Sequence, residues 1–237
     1  MSYKTELHCH STISSNCGRI TPREIVEKYL DAGYTTLVIT DHISRDTFQF
    51  GNYQGPADWD AQMDFYLHAY HALREEAKGR LNVLLGAEVR IDRHHATDYL
   101  LYGVTEEFLR KNAYLNAYHL ADLSRTAREG GVLFVQAHPF RDYMVVTPPA
   151  LLDGVEVFNG SAKHSPFRGE IADIWAKHYG LIPTSGSDIH RPSSVACGGI
   201  ETDEPITSNE QLLEVLKSRN YRILRNDALL TDDREQV

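Results

Sequence analysis

The chain has 237 residues, 42% of them hydrophobic and 24% charged, enough to bury the core of one ordinary soluble α/β domain. The formal net charge of −9 argues against a general surface for nucleic acid or anionic membrane, yet admits a small phosphorylated substrate met by bound cations. No apolar stretch reaches the length of a membrane span, no signal peptide is expected, and three cysteines (Cys9, Cys17, Cys197) without CxxC spacing fit a reduced cytoplasmic setting.

Residues 3–8 read as a strand that ends on His8-Cys9-His10, and a polar loop follows to Ile20. Thr21 as N-cap and Pro22 at the first helical position open a helix through Asp31, which Gly33 ends. Residues 36–40 form the next strand, closing on Thr40-Asp41-His42. Residues 45–58 are a long aromatic and glycine-bearing insertion, more than a turn requires, whose rings are expected to wall a pocket next to His42. Trp59, Met63, Tyr66, Tyr70, Leu73 and Ala77 mark a helical stripe.

Further strands are expected at 83–87, 99–104, 132–136, 155–158, 181–184 and 221–224, with helices at 114–128, 171–179 and 210–217. The tail from Thr231 is acidic and expected to fray. Short strands alternating with helices, with no linker or repeat, predict a single parallel α/β domain over 1–237. A barrel is preferred to an open doubly wound sheet. Polar residues fall at the C-terminal ends of nearly all strands, and no glycine-rich phosphate loop follows the first one.

Those strand ends carry Glu88 after Gly86-Ala87, His138 before Pro139, and Ser187-Asp188-Ile189-His190. Residues two apart on a strand share a face, so His8 and His10 point together, as do Asp188 and His190. Mixed imidazole and carboxylate donors suit zinc, manganese or iron. Four such residues as merely satisfied polar groups would need four separate partners, so ligation is the better reading.

Taken in order, HxH, TDH, Glu, HP and GSDxH resemble the PHP (polymerase and histidinol phosphatase) family of metal-dependent phosphoesterases, over residues 6 to about 225. The resemblance implies a distorted seven-stranded β/α barrel of TIM-like type holding two or three divalent ions. It implies one site from His8, His10, Glu88 and Asp188, a second shared by Glu88 and held by His138, and a third from His42 and His190. Trinuclear relatives carry two more histidines where the best matches here are Asn16 and Thr105, so two ions are expected to bind well. The implied reaction is hydrolysis of a small phosphorylated metabolite or nucleotide by a metal-activated water, with metal-bound water, or His190 if the third metal is missing, as proton donor. Arg141 is the first candidate phosphate clamp, followed by Lys163, His164 and Arg168, then Arg19.

Asp41 is expected to fix a ligand imidazole as an outer partner. His68, His71 and Glu75 are assigned to a solvated helix face, and His119 to a helix surface. His178 sits at a helix C-terminus, where the macrodipole favours it. His94-His95 is assigned to an exposed loop, and the cysteines to small buried positions. The competing functions are an amidohydrolase-type C–N or C–O hydrolase, which typically carries a lysine bridging the metals, and a non-catalytic metal-binding PHP module. Exonuclease activity is disfavoured by the acidic balance.

Overall fold

The computed structural model describes residues 2–91, 97–161 and 167–226, so Lys163, His164, His94, His95 and the acidic tail lie outside the described residues. In chain order the elements are β1 (Tyr3–Cys9), α1 (Pro22–Asp31), β2 (Tyr34–Ile39), β3 (His42–Ile43), α2 (Trp59–Ala77), β4 (Asn82–Arg90) and β5 (Asp98–Tyr102). There follow α3 (Glu106–Lys111), α4 (Leu120–Glu129), β6 (Leu133–Gln136), β7 (Gly154–Asn159), α5 (Phe167–Tyr179), β8 (Ile182–Gly186), β9 (Gly198–Thr202), α6 (Asn209–Ser218) and β10 (Arg222–Arg225). The first helix starts as its sequence predicts. Thr21 Oγ1 accepts from the Glu24 amide and Glu24 returns a bond to the Thr21 amide, a complete capping box.

The strands form one sheet in the order β10-β9-β1-β2-β4-β5-β6-β7-β8, with β3 paired beside β4, and it curls into a nearly closed barrel. It is mixed and not parallel, which corrects the expectation from alternating elements. β5 runs antiparallel to both its neighbours, β4 and β6, as β9 does to β1 and β10, while the remaining pairs are parallel. An alternating hydrophobic pattern is the same for either pairing, and the connection from Arg90 to Asp98 is too short for a parallel crossover. β3, β9 and α3 are absent from the sequence-based prediction. The helix expected at 114–128 breaks instead, with Tyr114 in the left-handed region (φ 57°) and α4 beginning only at Leu120.

Barrel closure falls between β1 and β8, where, among the described residues, a single bridge joins Cys9 to Ile189 just past β8. The Asp188 amide donates to the His8 carbonyl at 2.8 Å. Below that point the side chain of Glu6 replaces the ladder. Its Oε1 accepts from the amides of Leu7, His8 and Ser187, and its Oε2 from the hydroxyls of Tyr29 and Ser187. Gly186 is required here, because an added Cβ would stand 2.2 Å from the Cβ of His8.

Alternate strand residues face opposite ways. Val38, Leu84, Leu100, Tyr102 and Val135 gather with Leu212 and Leu216 of α6 at one end of the barrel. Leu37, Ile39, Leu85, Leu101 and Phe134 pack outward into the larger core with residues of α1, α2 and α4. On β4 the inner face continues from Leu84 past Gly86 to Glu88, and on β5 it reaches Asp98. The barrel interior thus passes from an apolar floor to a polar mouth.

The 45–58 insertion makes a π-helical turn at Asp46–Phe50. Its aromatics do not wall the pocket. Phe48 meets Tyr53 and Trp59 edge-on, and Tyr53 packs at a tilt on Phe65 of α2, burying apolar area there. The insertion turns its small polar side chains, with Ser44 just before it, to the cavity at the mouth.

Candidate metal centre

Glu88 sits at the middle of the mouth with 1% of its side chain exposed. Its Oε1 lies 3.3 Å from His8 Nε2 and 3.2 Å from His138 Nε2; its Oε2 lies 3.2 Å from His10 Nε2 and 3.0 Å from His42 Nδ1. Each oxygen therefore faces two imidazoles, the arrangement a carboxylate shared between two cations requires. Asp188 closes the other side, with Oδ1 3.1 Å from His10 Nε2, 3.5 Å from His8 Nε2 and 3.4 Å from His190 Nδ1.

The backbone that places these donors is unusual. His138 and Asp188 both take positive φ, 28° and 49°. Non-glycine residues rarely adopt that region, and each instance costs about 1–3 kcal/mol.

The donor chemistry fits divalent cations. Glu88 Oε2, His42 Nδ1 and both carboxylate oxygens of Asp188 are buried without a properly directed hydrogen bond. Buried polar atoms in that condition call for an ion. His8 Nε2 and His10 Nε2 stand 3.2 Å apart, two ring nitrogens aimed at a common point. Burial opposes charge on both rings, yet the surrounding carboxylates outweigh it and hold His8 and His10 well above the usual histidine range. Burial likewise acts against Glu88 and Asp188, and the facing imidazoles overcome it to hold both well below the usual carboxylate range. Protons on these rings and cations would compete for the same carboxylate-rich site, so cation binding would release protons.

Three donor groups not foreseen from the sequence join the cluster. Asp98 places Oδ2 3.7 Å from His138 Nε2 and is gripped by both Nε and Nη2 of Arg90, at 2.7 and 2.9 Å. Cys17 lies half-buried in the loop after β1, and its sulfur is within 4.8 Å of donor nitrogens of His10 and His42. Burial would raise its thiol, but hydrogen bonds to His190 and His42 pull it down to about 4. Cys17 is therefore no small buried filler, whereas Cys9 and Cys197 are buried as expected. The third group is Glu156 on β7, whose Oε1 takes His8 Nδ1 at 3.0 Å and whose Oε2 takes the His138 amide at 2.9 Å. That bond leaves His8 Nε2 for a cation.

The positions singled out as departures, Asn16 and Thr105, turn elsewhere. Asn16 donates to the Asp46 carbonyl and accepts from the Asn52 amide, tying the first loop to the insertion. Thr105 caps α3 by accepting from the Phe108 amide. Asp41 braces the loop after β1, accepting from the Ser11 amide and from the hydroxyls of Ser11 and Ser14, and lies 3.7 Å from His10 Nδ1. Its ring partner is thus His10 and not the adjacent His42.

A cavity of about 210 Å3 opens over the cluster, reached by His42, Glu88, Asp98, His138, Asp188 and His190, with Arg90 and Arg141 on its wall. A second hollow adjoins it through Cys17, Arg141 and His190 and adds Arg19 and Arg191. Arg168 stands apart, its guanidinium bonded to Asp142 at 2.8 Å. His68, His71, His119 and His178 are exposed on helices or at a helix start, away from the mouth.

No curated protein matches the chain. Among solved structures, a two-domain protein from Bacteroides vulgatus containing a predicted PHP-like metal-dependent phosphoesterase superposes with a TM-score of 0.66 at 19% identity. It covers 95% of this chain, which spans 65% of that one. PsfC from Pseudomonas syringae gives 0.70 at 15% identity, covering 97% and 93%. An amidohydrolase from Chromobacterium violaceum, solved with bound sulfate and no metal, gives 0.56 at 18%, covering 94% and 99%. At these identities the likeness is one of fold. The family models speak to descent: the PHP-associated model matches residues 170–221, the PHP domain model matches residues 6–188, and the chain belongs to the PHP domain family.

Proposed function

We propose that the protein is a metal-dependent phosphoesterase acting on a small phosphorylated metabolite or nucleotide. The observation that carries this reading is the pairing of a buried imidazole–carboxylate cluster centred on Glu88 with a rim bearing Arg19, Arg141 and Arg191. Divalent ions held by His8, His10, His42, Glu88, His138, Asp188 and His190, with zinc, manganese and iron all suited to these donors, would lower the pKa of a water and neutralise phosphate charge. Guanidinium forks on the rim match phosphate oxygens and orient the ester over the cluster. Arg141 is best placed, since it borders both hollows. His190, one-quarter exposed at the mouth, would serve as proton donor only where no third ion occupies its ring; otherwise a metal-bound water takes that role.

Amide or lactone hydrolysis is the second reading, favoured by the amidohydrolase among the structural neighbours. Against it, no lysine lines the cavity among the described residues. A panel of p-nitrophenyl phosphate, nucleotide monophosphates and phosphorylated metabolites, assayed with added manganese, separates the two. Turnover that chelation abolishes is expected, as is its loss in Glu88→Gln, whose amide cannot serve two cations. Absence of turnover across the panel, with bound metal verified, would overturn the phosphoesterase reading.

A further inference from the structure

The loop between β1 and α1 carries a group that the metal-dependent reading does not yet use. Cys17 borders both hollows at the mouth together with His190, and its sulfur, a His10 nitrogen and a His42 nitrogen lie within 4.8 Å of one another. The loop is not free to swing away. Ser11 and Ser14 are tied to Asp41, and the Thr12 amide bonds the Ile20 carbonyl across the loop base. Ser15 Oγ lies 3.4 Å from the sulfur and 3.3 Å from His10 Nδ1. No disulfide occupies the thiol.

A second, independent feature points to a ligand at this place. Asp188, 1% exposed, presents both carboxylate oxygens into the same space without a directed hydrogen bond, and Glu88 Oε2 and His42 Nδ1 do likewise. His190 donates Nδ1 to the Asp188 carbonyl at 2.8 Å, which leaves its Nε2 available. Thiol and imidazole donors on one side of the cluster thus face unpaired carboxylate oxygens on the other.

We propose that Cys17 is a thiolate ligand completing a third cation position with His42 and His190. This rests on the metal-dependent reading and sharpens it. The position left short by Asn16 is filled from the next residue, by sulfur in place of nitrogen. Sulfur changes which ion is preferred. The Glu88 sites, built of nitrogen and oxygen, discriminate little among zinc, manganese and iron, whereas a thiolate selects zinc or cobalt over manganese and magnesium. The third position is thus filled by a thiophilic ion even where manganese occupies the other two.

Cobalt titration of the purified protein tests this without reference to activity. Wild type is expected to show a near-ultraviolet sulfur-to-cobalt charge-transfer band on binding one of its equivalents. Cys17→Ser should lose the band and that equivalent while retaining the others and the same circular dichroism spectrum. Cys17→His should retain the equivalent without the band. Cobalt bound by wild type with no such band, or a band that survives in Cys17→Ser, overturns the assignment while leaving the metal-dependent reading standing. Failure of wild type to bind cobalt at all overturns both.

Discussion

His8 and His10 were legible as a same-face pair because strand geometry alone brings residues two apart together, and the structure sets their Nε2 atoms 3.2 Å apart. Glu156 was not legible. It sits inside Gly-Val-Glu-Val-Phe, a run that reads as a buried strand, and nothing in sequence spacing reveals that its carboxylate holds a histidine 148 residues away. Asp98 was hidden similarly, since its partner Arg90 meets it only across the antiparallel β4–β5 register. Glu156 touches two proposed ligands, the His8 ring through Oε1 and the His138 amide through Oε2, and its effect on donor chemistry falls on His8. It fixes which ring nitrogen faces the cluster and makes that nitrogen a better donor. Glu156→Gln should lower affinity for the tightest-bound ion about 10- to 100-fold, the range seen when outer partners of ligating histidines are altered. Competition with a chelating dye measures this; affinity within twofold of wild type would show that the His8 ring is held by its other contacts.

At the scale of elements, β1 pairs with β2 along its length and with β9 at its first residues, and its end bridges Ile189 just past β8. The seam between β1 and β8 is sealed by Glu6, a residue whose charge in a predicted strand gave no hint of this role. Removing the carboxylate in Glu6→Ala would strand the amides of Leu7, His8 and Ser187. Each unsatisfied buried group costs about 1–3 kcal/mol, so urea unfolding of the chelated protein should show a loss of about 3 kcal/mol or more. Acidity supplies a second readout. Burial raises the Glu6 carboxyl from 4.5 to about 7, against the pull of the Ser187, Tyr29 and backbone donors. The folded chain therefore holds this proton to higher pH than the unfolded chain does. The contribution to stability is unchanged below about pH 4.5, then falls by about 3 kcal/mol as pH rises to 7. Glu6→Gln, which keeps the shape and cannot ionise, should escape that fall. Parallel pH profiles of the two proteins would contradict the assignment.

For the molecule as a whole, the family resemblance made the distorted barrel legible, while strand direction stayed hidden because hydrophobic alternation carries no sign of direction. The site's energetics also belong to this scale. A chain of net charge −9 concentrates Glu88, Asp98 and Asp188 in one buried mouth, and holds His138 and Asp188 in strained backbone conformations. Such a cluster costs the bare fold stability that bound cations restore, since ions bind the assembled donors far better than the unfolded chain. At an ion concentration about 100 times the dissociation constant the gain is about 2.7 kcal/mol. For a chain of this length each kcal/mol moves the melting temperature by about 2–4 °C, so zinc or manganese should raise Tm by about 5–10 °C and excess chelator should reverse it. Asp188→Ala should remove most of that rise, because the β1–β8 side of the cluster loses its carboxylate while the Glu6 seal below it is untouched. A calorimetric Tm indifferent to metal in the wild type would mean that the strained, unpaired donors at the barrel mouth are balanced by protons alone.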